Sequence, residues 1–330
     1  MIALAPLHDA PAADHGRLVD GLAALLRATA ADRASIGWPA TPEPDAARAF
    51  WQRCLAAAGR GERALWAATD DRGQVLGSVQ LVTDMPANGA HRAELVKLMV
   101  HPQARRQGLA GRLLDAAEAE ARRRGRQLVV LDTQSGSTAE PLYRARGYQL
   151  CGRIPDYARE VGGPGLDATS VMFKRLGPGD TEVRPVPHDS PDAQAMQDAL
   201  SALVQARYGS DGRAAFAGFA APGSVFALAR DSAGTPLGCG ALRPLAGEPG
   251  CGELKRMYAA RPGQGTGRLL LRYLEHEAWV IGYRRLKLET RWANEGAVAF
   301  YRAHGFAPCE NYGPYVGRPE AACFEKAIGY

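Results

Sequence analysis

ELVKLMVHPQARRQGLAGRLL (94–114) decides how this chain is to be read. Its first residues are mostly apolar and read as a strand ending at Val100. Its last residues put Leu109, Leu113 and Leu114 at helical spacing, continued by Ala117. Between them lies a polar loop with Gly108 at the mouth of the helix. Glycines there let backbone N–H groups approach an anion, and the helix dipole favours negative charge at that end. The stretch is either a phosphate or pyrophosphate seat or a plain strand–turn–helix connection. It is not a P-loop, because no Gly-Lys-Ser/Thr follows, and it lacks the GxGxxG of dinucleotide sites.

Working outward, the same idea recurs as ELKRMYAARPGQGTGRLLL (253–271). Further matches follow in the same order. APLHDAPA (5–12) resembles RPVPHDSPD (184–192), and helical patterns come next at 18–30 and 196–208. ALWAATDDRGQVLGSVQL (64–81) matches VFALARDSAGTPLGCGAL (225–242), each two strands around a polar turn. LDT (131–133) matches LET (288–290), and YRARGY (143–148) matches YRAHGF (301–306). An ordered series of this kind means two copies of one domain. The linker is LGPGDTE (176–182), which sets domains at 1–177 and 178–330. Each copy reads β-α-β-β-β-loop-α-β-α-β, an α/β class with a mixed sheet and helices on both faces.

Bulk properties exclude several classes. With 46% hydrophobic and 23% charged residues the 330-residue chain is globular. Its net charge of +5 is mild, which argues against a nucleic-acid partner. Cysteines 54, 151, 239, 251, 309 and 323 show no paired spacing and read as reduced thiols. No basic, apolar leader and no run of 18 apolar residues is present, so the expectation is a cytoplasmic protein with no membrane partner. The histidines form no HxH or HExxH pattern, and no metal is expected. The run EARRRGR (120–126) is a solvated helix end.

Arg105-x-x-Gly108-x-Ala110, set between a strand and a helix, resembles the acyl-CoA loop of the GNAT acetyltransferases. The chain resembles that family twice, which implies two tandem GNAT acyltransferase domains. By that resemblance Met99 and Val100 offer backbone to the pantetheine of acetyl-CoA. Arg105, Arg106, Gln107, Gly108, Leu109, Ala110, Gly111 and Arg112 cradle its phosphates. Five further strings make the first copy similar to the tabtoxin-resistance type of acetyltransferase: RASIGW (33–38), AFW (49–51), NGAHRAELVKLMVHPQAR (88–105), LDTQSGSTAEPLYRARGY (131–148) and ATSVMFKRL (168–176). Such enzymes acetylate the amino group of an amino-acid-like toxin, and the resemblance puts Glu94, Asp132 and Tyr143 at the chemistry.

Those residue types suit the reaction. An alkyl amine with a pKa near ~10 is protonated at neutral pH and needs a carboxylate to accept its proton. A tyrosine hydroxyl can protonate the leaving thiolate. Each residue also has a bland alternative: Tyr143 packing under the sheet, Glu94 as a solvated strand end, Asp132 capping the next turn.

In the second copy the resemblance implies Tyr301, Glu253 and Glu289 as the chemical residues. It implies Met257, Tyr258, Gln264, Gly265, Thr266, Gly267, Arg268 and Asn294 as the acetyl-CoA contacts. Its loop is two residues shorter, since Glu94 to Gly108 spans 14 positions and Glu253 to Gly265 spans 12, and Pro262 replaces the family's Arg or Gln. The tail 312–328 either lines a substrate pocket or turns into the last strand. The expected function is acetyl transfer to a small amine, with an amino-acid-like toxin or antibiotic as the acceptor the resemblance implies. The alternatives are a peptide or protein acetyltransferase, or an acetyl-CoA-binding module with one degenerate half. Oligomeric state is not legible.

Overall fold

A computed structural model of the chain describes residues 2–7, 14–177, 181–209 and 219–329. The chain divides into two compact units, Met1–Leu176 and Gly177–Tyr330. Residues 178–180 of the expected linker and residues 8–12 of the first repeated string lie outside the described residues.

The first unit runs β1 (Ala3–Pro6), α1 (His15–Ala31), α2 (Pro44–Gly59), β2 (Arg63–Thr69), β3 (Val75–Val82), β4 (Arg92–Val100), α3 (Leu109–Arg123), β5 (Leu128–Gln134), α4 (Ala139–Ala145), β6 (Gln149–Arg159) and β7 (Leu166–Arg175). Its seven strands lie in the order β1-β2-β3-β4-β5-β7-β6. All neighbours are antiparallel except β4 and β5, which run parallel. Helices cover both faces. On one, α3 packs Leu109, Leu113, Leu114 and Ala117 onto the sheet beside Tyr143 and Tyr148. On the other, α1 and α2 bury Leu22, Leu26 and Trp51 against Leu65 and Met99.

Among the described residues the second unit repeats the plan with one helix fewer: β8 (Glu182–Pro185), α5 (Pro191–Tyr208), β9 (Val225–Arg230), β10 (Pro236–Pro244), β11 (Cys251–Ala259), α6 (Thr266–Ile281), β12 (Arg285–Arg291), α7 (Glu295–Ala303), β13 (Ala307–Pro308) and β14 (Ala321–Ala327). The strand order β8-β9-β10-β11-β12-β14-β13 matches the first sheet position for position.

Two details depart from the order read in the sequence. Helix α2 was not anticipated, although Pro44 at its first turn and Ala47, Trp51, Cys54 and Ala58 along one buried stripe are a helix signature. Each copy also ends in two strands, not one. The strand after the repeated hexapeptide is the edge strand of its sheet, and the final strand inserts between it and β5 or β12.

The repeated hexapeptide has a local explanation. Gly147 and Gly305 sit at φ 85° and 84°, where a side chain would be strained. They turn the chain so that Tyr148 N–H reaches Tyr143 O at 3.0 Å and Phe306 N–H reaches Tyr301 O at 3.1 Å. The ring five residues on then meets the helical tyrosine edge-to-face, at 5.5 Å in the first unit and 5.7 Å in the second.

Candidate active site

In both units the parallel strands part company where the conspicuous glutamate sits. The β4–β5 register covers Arg92↔Leu128, Ala93↔Val129 and Glu94↔Val130, and then ends, although β4 continues to Val100 and β5 to Gln134. The β11–β12 register ends one residue past Glu253, at Leu254↔Leu288. Beyond that point β4 and β11 each present a strand edge toward the opening. An unpaired edge is a template for an extended amide-bearing ligand.

A β-bulge forces the splay. Two residues of β4, Lys97 and Leu98, oppose one residue of β3, and Lys97 takes φ 54°. In β11 the equivalent pair is Arg256 and Met257, with Arg256 at φ 55°. Each bulge carbonyl is capped from the neighbouring strand. Ser78 Oγ donates to Lys97 O at 3.2 Å, and Cys239 Sγ donates to Arg256 O at 3.2 Å. After the bulge, Met99 points its side chain into the core, where Thr29 Oγ1 lies 3.7 Å from its sulfur. Tyr258 likewise packs on the core side. Val100 and Met257 pack their side chains on the opposite core cluster of their unit.

The glycine loops close one end of each notch. Gly108 and Gly265 precede α3 and α6 at φ 76° and 83°, and neither helix start has a side-chain cap. Arg112 N–H is bonded back to Gly108 O (3.2 Å) and Leu269 N–H to Gly265 O (3.0 Å). The amides of Leu109, Ala110 and Gly111, and of Thr266, Gly267 and Arg268, are thus the orphan donors of a helix start. That is a fit for a pyrophosphate. The Leu109 and Thr266 side chains are themselves buried and only their amides are on offer.

The loop side chains are differently placed. Arg105 pairs with Asp32 at 2.5 Å on the surface. Arg106, at φ 62°, and Gln107 are exposed, and Gln107 Nε2 donates to Gln103 O at 3.4 Å. Arg112 donates to Ile2 O at 3.0 Å. Ala110 and Gly111 are half-buried, and Arg146 holds Gly111 O at 3.2 Å. Gln264 and Arg268 are exposed in the shorter second loop, and Gly267 lies against Phe300. Asn294 caps α7, its Oδ1 accepting from Ala297 N–H at 3.4 Å. That capping role sequence reasoning did not foresee.

The other end of each notch is acidic and aromatic. In the first unit Tyr143 is buried; burial, with the nearby Asp132 carboxylate second, holds its hydroxyl well above the usual tyrosine range. Asp132 is exposed and accepts from Thr169 Oγ1 at 3.2 Å. Glu94 is half-buried. Lys97, absent from the sequence-derived site, lies in the field of Glu94 and Asp132. It donates to Ile36 O at 2.9 Å and sits 5.7 Å from the Phe50 ring, which meets Trp38 edge-on at 6.4 Å. Burial lowers its pKa. Its place directly after ELV (94–96) is the one hint the sequence holds.

The second unit differs in how its carboxylates are used. Glu253 is 2% exposed and fully engaged: Arg243 binds Oε2 at 2.8 and 2.7 Å, Tyr312 donates to Oε1 at 3.1 Å, and Lys255 lies 3.4 Å away. Lys255 also donates to the Tyr315 hydroxyl. Glu289 is half-buried, and burial is the main cause raising its pKa, with Glu253 adding and Lys255, Arg291 and Arg318 opposing. Tyr301 is buried and its hydroxyl pushed well up, by burial first and then by Glu289. The tail thus both turns, at Gly313–Tyr315, and lines the site through Tyr312 and Tyr315.

The sequence model described as the acetyltransferase (GNAT) family matches residues 26–148 and again residues 193–306. The chain belongs to that family. The GNAT domain occurs twice in it, and the protein is an acyltransferase. An IAA acetyltransferase of Azospirillum brasilense is 42% identical over 112 residues, which are 33% of this chain and 71% of that protein. An uncharacterized N-acetyltransferase of Schizosaccharomyces pombe is 37% identical over 93 residues, 28% of this chain and 56% of its own length. Among solved structures, a GNAT superfamily phosphinothricin acetyltransferase from Sinorhizobium meliloti in complex with AcCoA is 21% identical, covers 53% of this chain and 89% of its own, and has a TM-score of 0.42. Among the described residues of this GNAT chain, no helix is long and apolar enough to cross a membrane, and no cluster of ligating side chains could hold a metal ion.

Proposed function

We propose that this GNAT chain transfers the acetyl group of acetyl-CoA to the amino group of a small molecule, with the first unit carrying the main activity. The observation that carries this reading is the notch itself. A parallel strand pair parts at Glu94, orphan helix amides lie at one end, and Tyr143 with Asp132 lies at the other. Acetyl-CoA supplies the activated acyl group. The free edge of Met99 and Val100 orients the pantetheine, and the amides from Gly108 to Gly111 hold the pyrophosphate, with Arg105, Arg106, Gln107 and Arg112 around it.

Glu94 accepts the ammonium proton of the acceptor, and Asp132 adds negative potential that draws in a cationic amine. A backbone N–H of the splayed β4 edge stabilises charge on the carbonyl oxygen. Tyr143, kept protonated by burial, gives its proton to the departing thiolate. Trp38 and Phe50 form an apolar wall for the acceptor. The acceptor class we assign is an amino-acid-like toxin or antibiotic, and the likeness to a relative named as an IAA acetyltransferase supports a small-molecule acceptor.

In the second unit the same parts recur: Met257 and Tyr258 backbone, the loop of Gln264, Gly265, Thr266, Gly267 and Arg268, the helix cap Asn294, and Tyr301. Here Glu289 is the base and Glu253 a positioning carboxylate, because Glu253 has no free oxygen. The test is CoA release from acetyl-CoA with a panel of amino-acid-like toxins, aminoglycosides, polyamines and short peptides. Turnover of one small-amine class supports the reading. Turnover of peptides alone, or of none, contradicts it.

A further inference from the structure

Six cysteines look scattered in sequence, yet the fold sets two of them face to face. Strands β13 and β14 pair as Ala307↔Glu325 and Pro308↔Phe324. One step further the same register puts Cys309 opposite Cys323, and Cys309 N–H donates to Cys323 O at 3.0 Å. Directly opposite residues project from the same face of a sheet. A hydrogen-bonded antiparallel pair has Cα atoms about 5.5 Å apart, inside the roughly 4.4–6.8 Å that a disulfide spans. Cys323 is 1% exposed, and Cys309 is half-buried and reachable from solvent. Both are free thiols.

The pair adjoins the acceptor end of the second unit. Cys323 pairs in register with Glu289, and its sulfur accepts the backbone N–H of Tyr312, whose hydroxyl holds Glu253 at 3.1 Å. Tyr312 lies three residues beyond Cys309 on the segment the two cysteines bracket. Facing Cβ atoms stand about 4.5–5.5 Å apart and a disulfide draws them to about 3.8 Å. That contraction acts on the Tyr312 segment.

We infer that Cys309 and Cys323 form a thiol–disulfide exchange site, and that their disulfide displaces Tyr312 and Tyr315 and slows acetyl transfer by the second unit. The co-reactant is a low-molecular-weight disulfide such as oxidised glutathione. The Cys309 thiolate attacks one of its sulfurs, forming a mixed disulfide and releasing one glutathione thiolate. The Cys323 thiolate then attacks the Cys309 sulfur, forming the internal bond and releasing the second glutathione. Two cysteine protons go to solvent and the two glutathione thiolates, and two electrons reduce the oxidant. The first step is slow at neutral pH. Burial pushes Cys309 up to about 11, reinforced by Glu325, Cys323 and Glu248 and opposed by Lys287. Cys323 is likewise raised by burial and by Glu289 and Glu253, against the Tyr312 N–H and Lys255.

The experiment treats the full chain with oxidised glutathione between pH 7 and 10, then maps peptides by mass spectrometry. The result expected is a Cys309–Cys323 peptide, formed about tenfold faster per pH unit and cleaved by dithiothreitol. It is absent in Cys323→Ser and in the milder Cys309→Ser. The exposed Cys151 stays a mixed disulfide. Free Cys309 and Cys323, or a mixed disulfide stopping at Cys309, overturns the site. The second half of the inference rests on the proposed function of the second unit. It expects at least a fivefold loss of Tyr301-dependent turnover on oxidation, reversed by reductant and absent in Cys309→Ser. Cross-linking without that loss overturns the coupling to the acceptor site. The peptide map is read whether or not any amine turns over, so failure of the exchange site and failure of the catalytic reading are told apart.

Discussion

Tyr143 and Tyr301 occupy the same position in two copies of one fold, each buried and each beside a strand carboxylate. Phenylalanine at either place keeps the edge-to-face ring contact and removes only the hydroxyl. Tyr143→Phe is expected to lower first-unit kcat by about 10²-fold with little change in KM for acetyl-CoA, measured by CoA release. The carboxylates give a pH signature. Glu289 is raised in the folded state, so its stabilising contribution is present at low pH and is lost as pH rises through that value. As a base it must be ionised, so second-unit turnover falls as pH drops through the same raised value. Its acid limb should therefore lie above the ordinary carboxylate range, and Glu289→Gln should abolish turnover. The bond Asp132 accepts comes from Thr169 on the neighbouring strand β7, not from the turn that follows it. The sequence placed Glu94 and Glu253 alike, because it cannot display the Arg243 and Tyr312 partners that arrive from β10 and the tail.

At the scale of elements, the helix mouths and the strand ladders make separate demands. Gly108→Ala puts a side chain at φ 76° and should cost about 1 kcal/mol while raising KM for acetyl-CoA, as read by denaturant unfolding and steady-state kinetics. Helix α3 is also tied to β7 by a fully buried pair, Lys174 Nζ to Glu118 Oε2 at 2.6 Å, with the ammonium 5.6 Å from the Tyr148 ring. Lys174→Met leaves a buried carboxylate and should destabilise the first unit by roughly 3 kcal/mol. The matching pair in the second unit, Lys326 and Glu275 at 2.7 Å, is more exposed, so Lys326→Met should cost clearly less in the same measurement. These pairs were not legible, because ion pairs between a helix and a strand 56 or 51 positions away leave no local signal. The strand–loop–helix core was legible, because hydrophobic period and glycine position are local. Helix α2 is readable in principle from Pro44 and its apolar stripe.

For the whole molecule, duplication predicts two acetyl-CoA sites per chain. Titration calorimetry should give two, the weaker lost in Gly265→Val, where a branched side chain meets φ 83° at the second helix mouth. The ordered series of matching strings made the duplication readable, and the two sheets repeat one strand order. The shorter second loop already marked a divergence in the sequence; what the sequence did not carry was its form at the carboxylates, open in one copy and a locked glutamate in the other. The most direct test compares acetyl transfer to the best amine of the panel by wild type, Tyr143→Phe and Tyr301→Phe, each first shown to be folded. The account predicts that Tyr143→Phe removes most of the turnover of that amine and that Tyr301→Phe leaves it largely intact. Full activity in Tyr143→Phe would contradict it.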